Sequence, residues 1–256
     1  MIPKKIHYIW LSGEKMPKLY QKCIDSWKNV MPDYEIKCWD KKNSPTNQWV
    51  CEAMAMKKWA FASDYIRHYV LHKEGGIYLD ADIFAKKSFD NFLNDDYFTA
   101  IEYNKKKYEE KESGKLLDNN GHLLNQTDIV QGLTIQAAII GSIAGHPLSE
   151  EIMQYYENNH FIDNNDKINY IIATDVMVKK MEKYGFRYCD TYQSLKHSIG
   201  RDIIIYPTEI FASGLLTALK NSYAIHMYAS SWRDYSVIEN IIRKIKMAIK
   251  IFLLRV

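Results

Sequence analysis

The chain has 256 residues, 47% of them hydrophobic, enough to bury one large core, and no linker or low-complexity stretch divides it. A formal net charge of +3 leaves no broadly basic surface for nucleic acid, since the one concentration of Lys and Arg lies at the C-terminus. Cys23, Cys38, Cys51 and Cys189 lack CxxC or zinc-ligand spacing and read as free thiols; with no secretory leader and no run of 18 apolar residues, a cytoplasmic protein is expected.

Strand-like and helix-like runs alternate along the chain. Residues 5–11 read as a strand carrying Trp10 near its end, followed by a helix over 17–29, a strand over 35–39 and a helix over 48–56. Trp10 could stack on a ligand or sit in the core. A helix over 59–74 places Ala62, Ile66, Tyr69, Val70 and Lys73 near one face. Asp64 and Arg67, three apart on that helix, share a face and could pair with each other, an interaction contributing about 0–1 kcal/mol if exposed. Gly75-Gly76 ends the helix with the left-handed geometry that other residues resist.

A strand over 76–80 leads into Asp80-Ala81-Asp82. In an extended chain both carboxylates would face one point, with Tyr78 on the same side, and could hold a hard divalent cation whose open positions take substrate phosphates. By itself such a triplet is more often a solvated turn or a helix cap. Acids at the carboxyl end of a strand after a helix do sit where open α/β sheets bind ligands.

Further strands are expected over 97–102, 134–140, 203–206 and 224–228, and helices over 147–158 and 174–184. The pattern predicts one α/β domain over 1–235 with a mainly parallel sheet. Residues 104–126, with Lys-Glu runs, Gly114 and Asn119-Asn120-Gly121, read as a surface insertion or a lid. Asp175 is an acceptor-side acid or a carboxylate at a helix N-terminus. Residues 236–256 interleave Ile238, Ile241, Ile242, Ile245, Ile249, Phe252 and Leu253 with Arg243, Lys244, Lys246, Lys250 and Arg255. This basic amphipathic helix suits either packing on protein or peripheral contact with an anionic membrane.

Four motifs in this order, Ile6-His7-Tyr8-Ile9-Trp10, Ala62-Ser63-Asp64-Tyr65-Ile66-Arg67, Gly75 through Asp82, and His226 through Ser231-Trp232, resemble glycosyltransferase family 32, the sugar transferases with a DXD-containing sugar-binding region. The catalytic domains of the large clostridial glucosylating toxins share these elements. The resemblance implies a GT-A fold of single Rossmann-like type, a nucleotide-sugar donor with uridine favoured, Mn2+ or Mg2+, and retention of anomeric configuration at a glycan acceptor, lipid-linked glycans included. It implies that Trp10 stacks on the base, that Asp64, Arg67 and Tyr78 contact the donor, that Asp82, Asp80 and His226 hold the metal, and that Ser231 and Trp232 reach the diphosphate. Two departures are present: His226-Met227 stands where the toxin domains carry a Glu, and Thr174-Asp175-Val176 where family members often carry Thr-Gly-Pro. A toxin-like enzyme acting on protein and a haloacid dehalogenase-like phosphatase with Asp80 as nucleophile are the competing expectations.

Overall fold

The computed structural model describes residues 1–163, 167–212, 214–215, 217–229 and 237–253, with the side chains of the last helix described at 239, 242 and 245–251. The first third alternates as the periodicity predicts: β1 (Lys5–Ile9), α1 (Lys18–Val30), β2 (Glu35–Trp39), α2 (Gln48–Ala55), α3 (Trp59–Glu74) and β3 (Gly76–Leu79). β1 pairs in parallel with both β2 and β3. There follow β4 (Ile83–Ala85), β5 (Tyr97–Tyr103), α4 (Lys105–Glu110), β6 (Leu133–Ile135), β7 (Ile139–Ser142), α5 (Pro147–Glu157) and α6 (Ala173–Glu182). The chain continues through β8 (Gln193–Lys196), β9 (Asp202–Tyr206), β10 (Phe211–Ala212), β11 (Ala224–His226) and α7 (Val237–Leu253).

The main sheet has the order β2-β1-β3-β7-β5-β9-β8, with β6 paired to β5. Strands β1, β2, β3, β5 and β9 run one way and β6, β7 and β8 the other. The α/β expectation and the mainly parallel sheet therefore hold, with β7 inserted antiparallel between β3 and β5. A smaller sheet, β10-β11-β4, brings the late strand β11 beside the segment that follows the acids. One core cluster packs α2, α3, α5 and α6 on one face of the main sheet, and a second packs α1 and the small sheet on the other.

Four expectations need correction. α3 is buried nearly all round rather than on one face; Tyr69 is half-buried and Lys73 exposed, because α2 and α5 flank a helix already lying on the sheet. The single strand expected over 134–140 is two. β6 pairs with Ile101–Tyr103, and the chain then steps over so that β7 pairs with β3 and with Tyr97-Phe98. Thr99 Oγ1 holds the step, lying 2.8 Å from the Gln136 carbonyl and 3.1 Å from that of Ile139. β4, β8 and β10, of two to four residues, carry too little pattern to be read. The 80–82 segment is not extended: the Ile83 N–H donates to the Asp80 carbonyl at 2.9 Å, so the acids sit on a tight turn.

The glycine pair has the positive φ expected of it, and close backbone approaches require it as well. Gly75 has φ +63° and a Cβ there would lie 2.8 Å from Ala144 N; Gly76 has φ +110° and its Cβ would lie 2.6 Å from the Lys5 carbonyl oxygen. Beside it, His7 is neutral and spans two elements, accepting at Nδ1 from the Trp39 indole (3.0 Å) and donating from Nε2 to the Gly75 carbonyl (2.8 Å). Segment 104–126 contains α4 and is tied at Asn104 N–H to Gly132 O (2.7 Å), at Ser113 Oγ to Gln131 O (2.8 Å) and at Gly121 O to Tyr188 N–H (2.7 Å). α7 lies against α1, with Met247 and Ile251 packed on Leu19, Cys23, Ile225 and Met227. Among its described side chains Ile242, Ile245 and Ile249 are exposed.

Candidate active site

A cavity of about 990 Å³ opens where β1, β3 and β5 end, bordered by Trp10, Asp80 and Glu102 just at or beyond their termini. Asp80, Asp82 and His226 form its floor, each offering a ligand atom such that all three atoms lie within 4.8 Å of one another. The turn brings the two acids together, and β11, paired antiparallel to β4, brings His226 opposite Ile83. His226 Nε2 lies 3.5 Å from Asp82 Oδ1, while the Ala229 N–H donates to Asp82 Oδ2 at 2.8 Å and the Met227 N–H to the Asp82 carbonyl at 3.0 Å. Tyr228, stacked on His226 at 4.0 Å between ring centroids, has φ +43°, a costly backbone conformation for a tyrosine that keeps the 226–229 turn wrapped on Asp82.

Burial alone would raise the Asp82 carboxyl; His226 and the Ala229 N–H outweigh it and hold Asp82 below the usual carboxylate range. The converse holds for His226, which burial would lower but Asp82 raises to about 9. Two carboxylates and one imidazole form a donor set suited to Mn2+, and less so to Mg2+, which prefers oxygen alone. An octahedral ion with bonds of about 2.1 Å needs ligand atoms roughly 3–4 Å apart, so the residues fit with small side-chain adjustments. The His226 Nδ1 is buried without a hydrogen-bond partner among the described residues.

Asp64 and Arg67 form the adjoining wall. The sequence reading allowed an exposed pair; here both are buried, with 10% and 6% of the side chain exposed and Arg67 Nη2 2.8 Å from Asp64 Oδ1. Arg67 is held on every side: Nη1 donates to the Ala137 carbonyl (2.6 Å), Nε to the Ser63 carbonyl (3.2 Å), and Nη2 also to Ser63 Oγ (3.1 Å). Its guanidinium lies 4.8 Å over the Tyr78 ring and 3.8 Å from Asp80 Oδ1. The step between β6 and β7 turns the Ala137 and Ala138 carbonyls into the site, the second accepting from the Asp80 N–H at 2.8 Å. Tyr78 points toward Asp80 as expected, its hydroxyl donating to Asp80 Oδ1 at 2.5 Å. Burial pushes the Asp64 carboxyl up, opposed by Arg67 and reinforced by Asp80.

Trp10 lines the cavity, its N–H donating to the Glu14 carbonyl at 2.9 Å and its edge meeting Tyr20 at 5.3 Å between ring centroids. The structure thus gathers Trp10, Arg67, Tyr78, Asp80, Asp82 and His226 around one cavity, with Asp64 buried behind Arg67. Ser231 and Trp232 lie outside the described residues. Ser63, Glu102, Lys107 and the Ala229 N–H were not singled out from sequence. Ser63 alone had a signal, its place one helical turn before Arg67.

The geometry defines an α/β protein with a carboxylate–imidazole cluster at the floor of a cleft on the carboxyl edge of its sheet. The chain belongs to the capsular polysaccharide synthesis protein family, whose model matches residues 1–236. It is 27% identical over 183 residues, 68% of this chain, to an uncharacterized glycosyltransferase, L373, of Acanthamoeba polyphaga mimivirus. It is 31% identical over 108 residues, 36% of this chain, to inositol phosphoceramide mannosyltransferase 3 of Schizosaccharomyces pombe. The matches span 61% and 28% of those proteins' lengths. Among solved structures, the PaToxG glycosyltransferase is similar over 71% of this chain and 68% of its own, at 17% identity and TM-score 0.47. Membership in this family sets aside the dehalogenase-like phosphatase.

Proposed function

We propose that the protein is a glycosyltransferase that moves a hexose from a nucleotide-sugar, a uridine diphosphate sugar in the favoured form, to a glycan in capsular or cell-surface polysaccharide synthesis. The observation that carries this reading is the convergence of Asp80, Asp82 and His226 beside the buried Asp64–Arg67 pair in one cavity. The family and the glycosyltransferases among its relatives support it. Asp82, Asp80 and His226 would hold Mn2+ or Mg2+, which supplies charge neutralisation for a diphosphate leaving group.

In the transfer, the bond between the donor's anomeric carbon and the diphosphate oxygen breaks and the nucleoside diphosphate leaves with the electron pair. A bond to the acceptor oxygen forms, and the acceptor's hydroxyl proton passes to the phosphate or to water. Arg67, fixed by Ser63, Ala137 and Asp64, presents a preorganised positive charge to the sugar phosphate. Asp64 and Tyr78 orient the donor, the latter also fixing the Asp80 carboxylate, and the flat face of Trp10 takes the base. Ser231 and Trp232 complete the diphosphate contacts in this reading. Retention of configuration follows the family resemblance.

A screen of nucleotide-sugars with Mn2+, following released nucleotide, tests the assignment. Asp82→Ala should abolish metal-dependent release, and full activity in that variant would sink it.

A further inference from the structure

The wall of the cavity facing the acids contains a second set of polar groups. Glu102 is the penultimate residue of β5, Lys107 belongs to α4, and Asp175 stands in the first turn of α6, all three lining the cavity together with Thr134 and Thr174. Among the described residues no hydrogen bond or ion pair engages the carboxylate of Glu102 or of Asp175. Asp175 is half-buried, and its side chain does not cap α6, whose N-terminal residue Ile172 makes no side-chain cap. The nearby Lys179 is occupied elsewhere, by the Gln126 and Asp128 carbonyls and by Glu182. Burial raises the Asp175 carboxyl, with Lys107 and Lys179 opposing.

These groups look inward toward the donor side. Glu102 lines the same cavity as His226. The Tyr156 hydroxyl, buried without a hydrogen-bond partner among the described residues, feels Asp64, Arg67 and Asp175 together. Outside them, Ile129 and Ile172 stand exposed at the cavity rim. α4 is tied to this wall where the Asn104 N–H donates to the Gly132 carbonyl at 2.7 Å, and it packs so closely there that a Cβ on Gly132 would lie 2.4 Å from the Tyr108 nitrogen.

Half-buried carboxylates without protein partners are acceptors awaiting donors, since a desolvated polar group left unpaired costs free energy. Sugar hydroxyls supply such donors. A uronate or phosphate in the same place would meet two negative charges against the single Lys107, so the wall also rejects anionic residues. We propose that this wall is the acceptor subsite and that it takes an uncharged sugar residue, whose hydroxyls donate to Asp175 and Glu102 and accept from Lys107. The inference rests on the glycosyltransferase reading of the same cavity.

The test measures two reactions of the full chain with Mn2+ and its nucleotide-sugar: nucleotide release without acceptor, and transfer to neutral nitrophenyl hexosides or to the matching glucuronides. The wild type should transfer to neutral members and not to glucuronides. Asp175→Asn should lower kcat/KM for the neutral acceptor about tenfold or more, the loss expected for a hydrogen bond to a charged group, and leave acceptor-independent release within about twofold. Asp175→Lys should admit the glucuronide. Equal losses in both reactions, an unchanged acceptor kcat/KM, or a wild type that releases nucleotide yet prefers glucuronides or transfers to neither class would overturn the proposal. A wild type without metal-dependent nucleotide release would overturn the donor reading beneath it.

Discussion

Arg67 makes four hydrogen bonds from a single side chain, as a planar fork allows: its donors reach Ser63, Asp64 and Ala137 in different directions while the face rests on Tyr78. Burying a charged pair stabilises little by itself, but removing one partner strands the other. Arg67→Met should therefore destabilise the protein by about 3–5 kcal/mol in urea unfolding. The double variant Asp64→Asn/Arg67→Met should recover part of that loss. A single-variant cost under about 1 kcal/mol would show the pair to be spectators. The acids, the helix pair and Trp10 were legible because each lay in a short motif of distinctive residue types. Glu102 and Lys107 were not, because an acid ending a strand and a lysine in a Lys-Glu run look like any solvated surface until the fold turns them toward a cavity.

At the scale of elements, α2 is tied to the loop after α5 through one side chain. Glu52 accepts from the Phe161 N–H (2.8 Å), the Ile162 N–H (3.1 Å) and Gln48, and meets His160 Nδ1 at 2.9 Å. Burial alone would raise this carboxyl; His160, Gln48 and the two backbone N–H groups prevail and hold it at about 2, against an ordinary 4.5. A depressed folded value means the contribution is complete above about pH 4.5 and is lost as pH falls toward 2. Glu52→Ala should cost about 1–3 kcal/mol near neutral pH by leaving two N–H groups without acceptors, and the gap from wild type should narrow in acid. A gap independent of pH would refute the role. α3 was read to its ends because Trp59 opens a long periodic run and Gly75-Gly76 closes it. The step at residues 136–138 was invisible, since alternation of Thr, Ile and Ala says nothing about which neighbour each half will pair with, and pairing is decided by β3 and β5 far away in sequence.

Over the whole molecule, α7 joins the two ends of the chain. Its inner face closes on α1 through Met247 and Ile251, with Lys250 Nζ donating to the Met227 carbonyl and Lys22 Nζ to that of Ile251 at 3.3 Å. Met247 also lines the cavity. No helix among the described residues is long and apolar enough to cross a membrane. We propose that the exposed row Ile242, Ile245 and Ile249 rests on an anionic lipid surface, as the lysines interleaved in this helix suit. Replacing the three isoleucines by Gln should abolish co-sedimentation with phosphatidylserine-containing vesicles and leave nucleotide release in solution intact. Undiminished sedimentation would remove the membrane from this account.

The contact between Asp82 and the Ala229 N–H spans 147 positions, with His226 in the same late segment. A chain emerging from the ribosome therefore exposes its acid turn long before the imidazole and the amide that neutralise it are made. Until residue 229 has been synthesised, the nascent protein can place Asp80 beside Arg67 and Tyr78 but has neither of the late groups that offset the charge of Asp82. The cluster of Asp80, Asp82 and His226 is therefore complete only once residue 226 has been made.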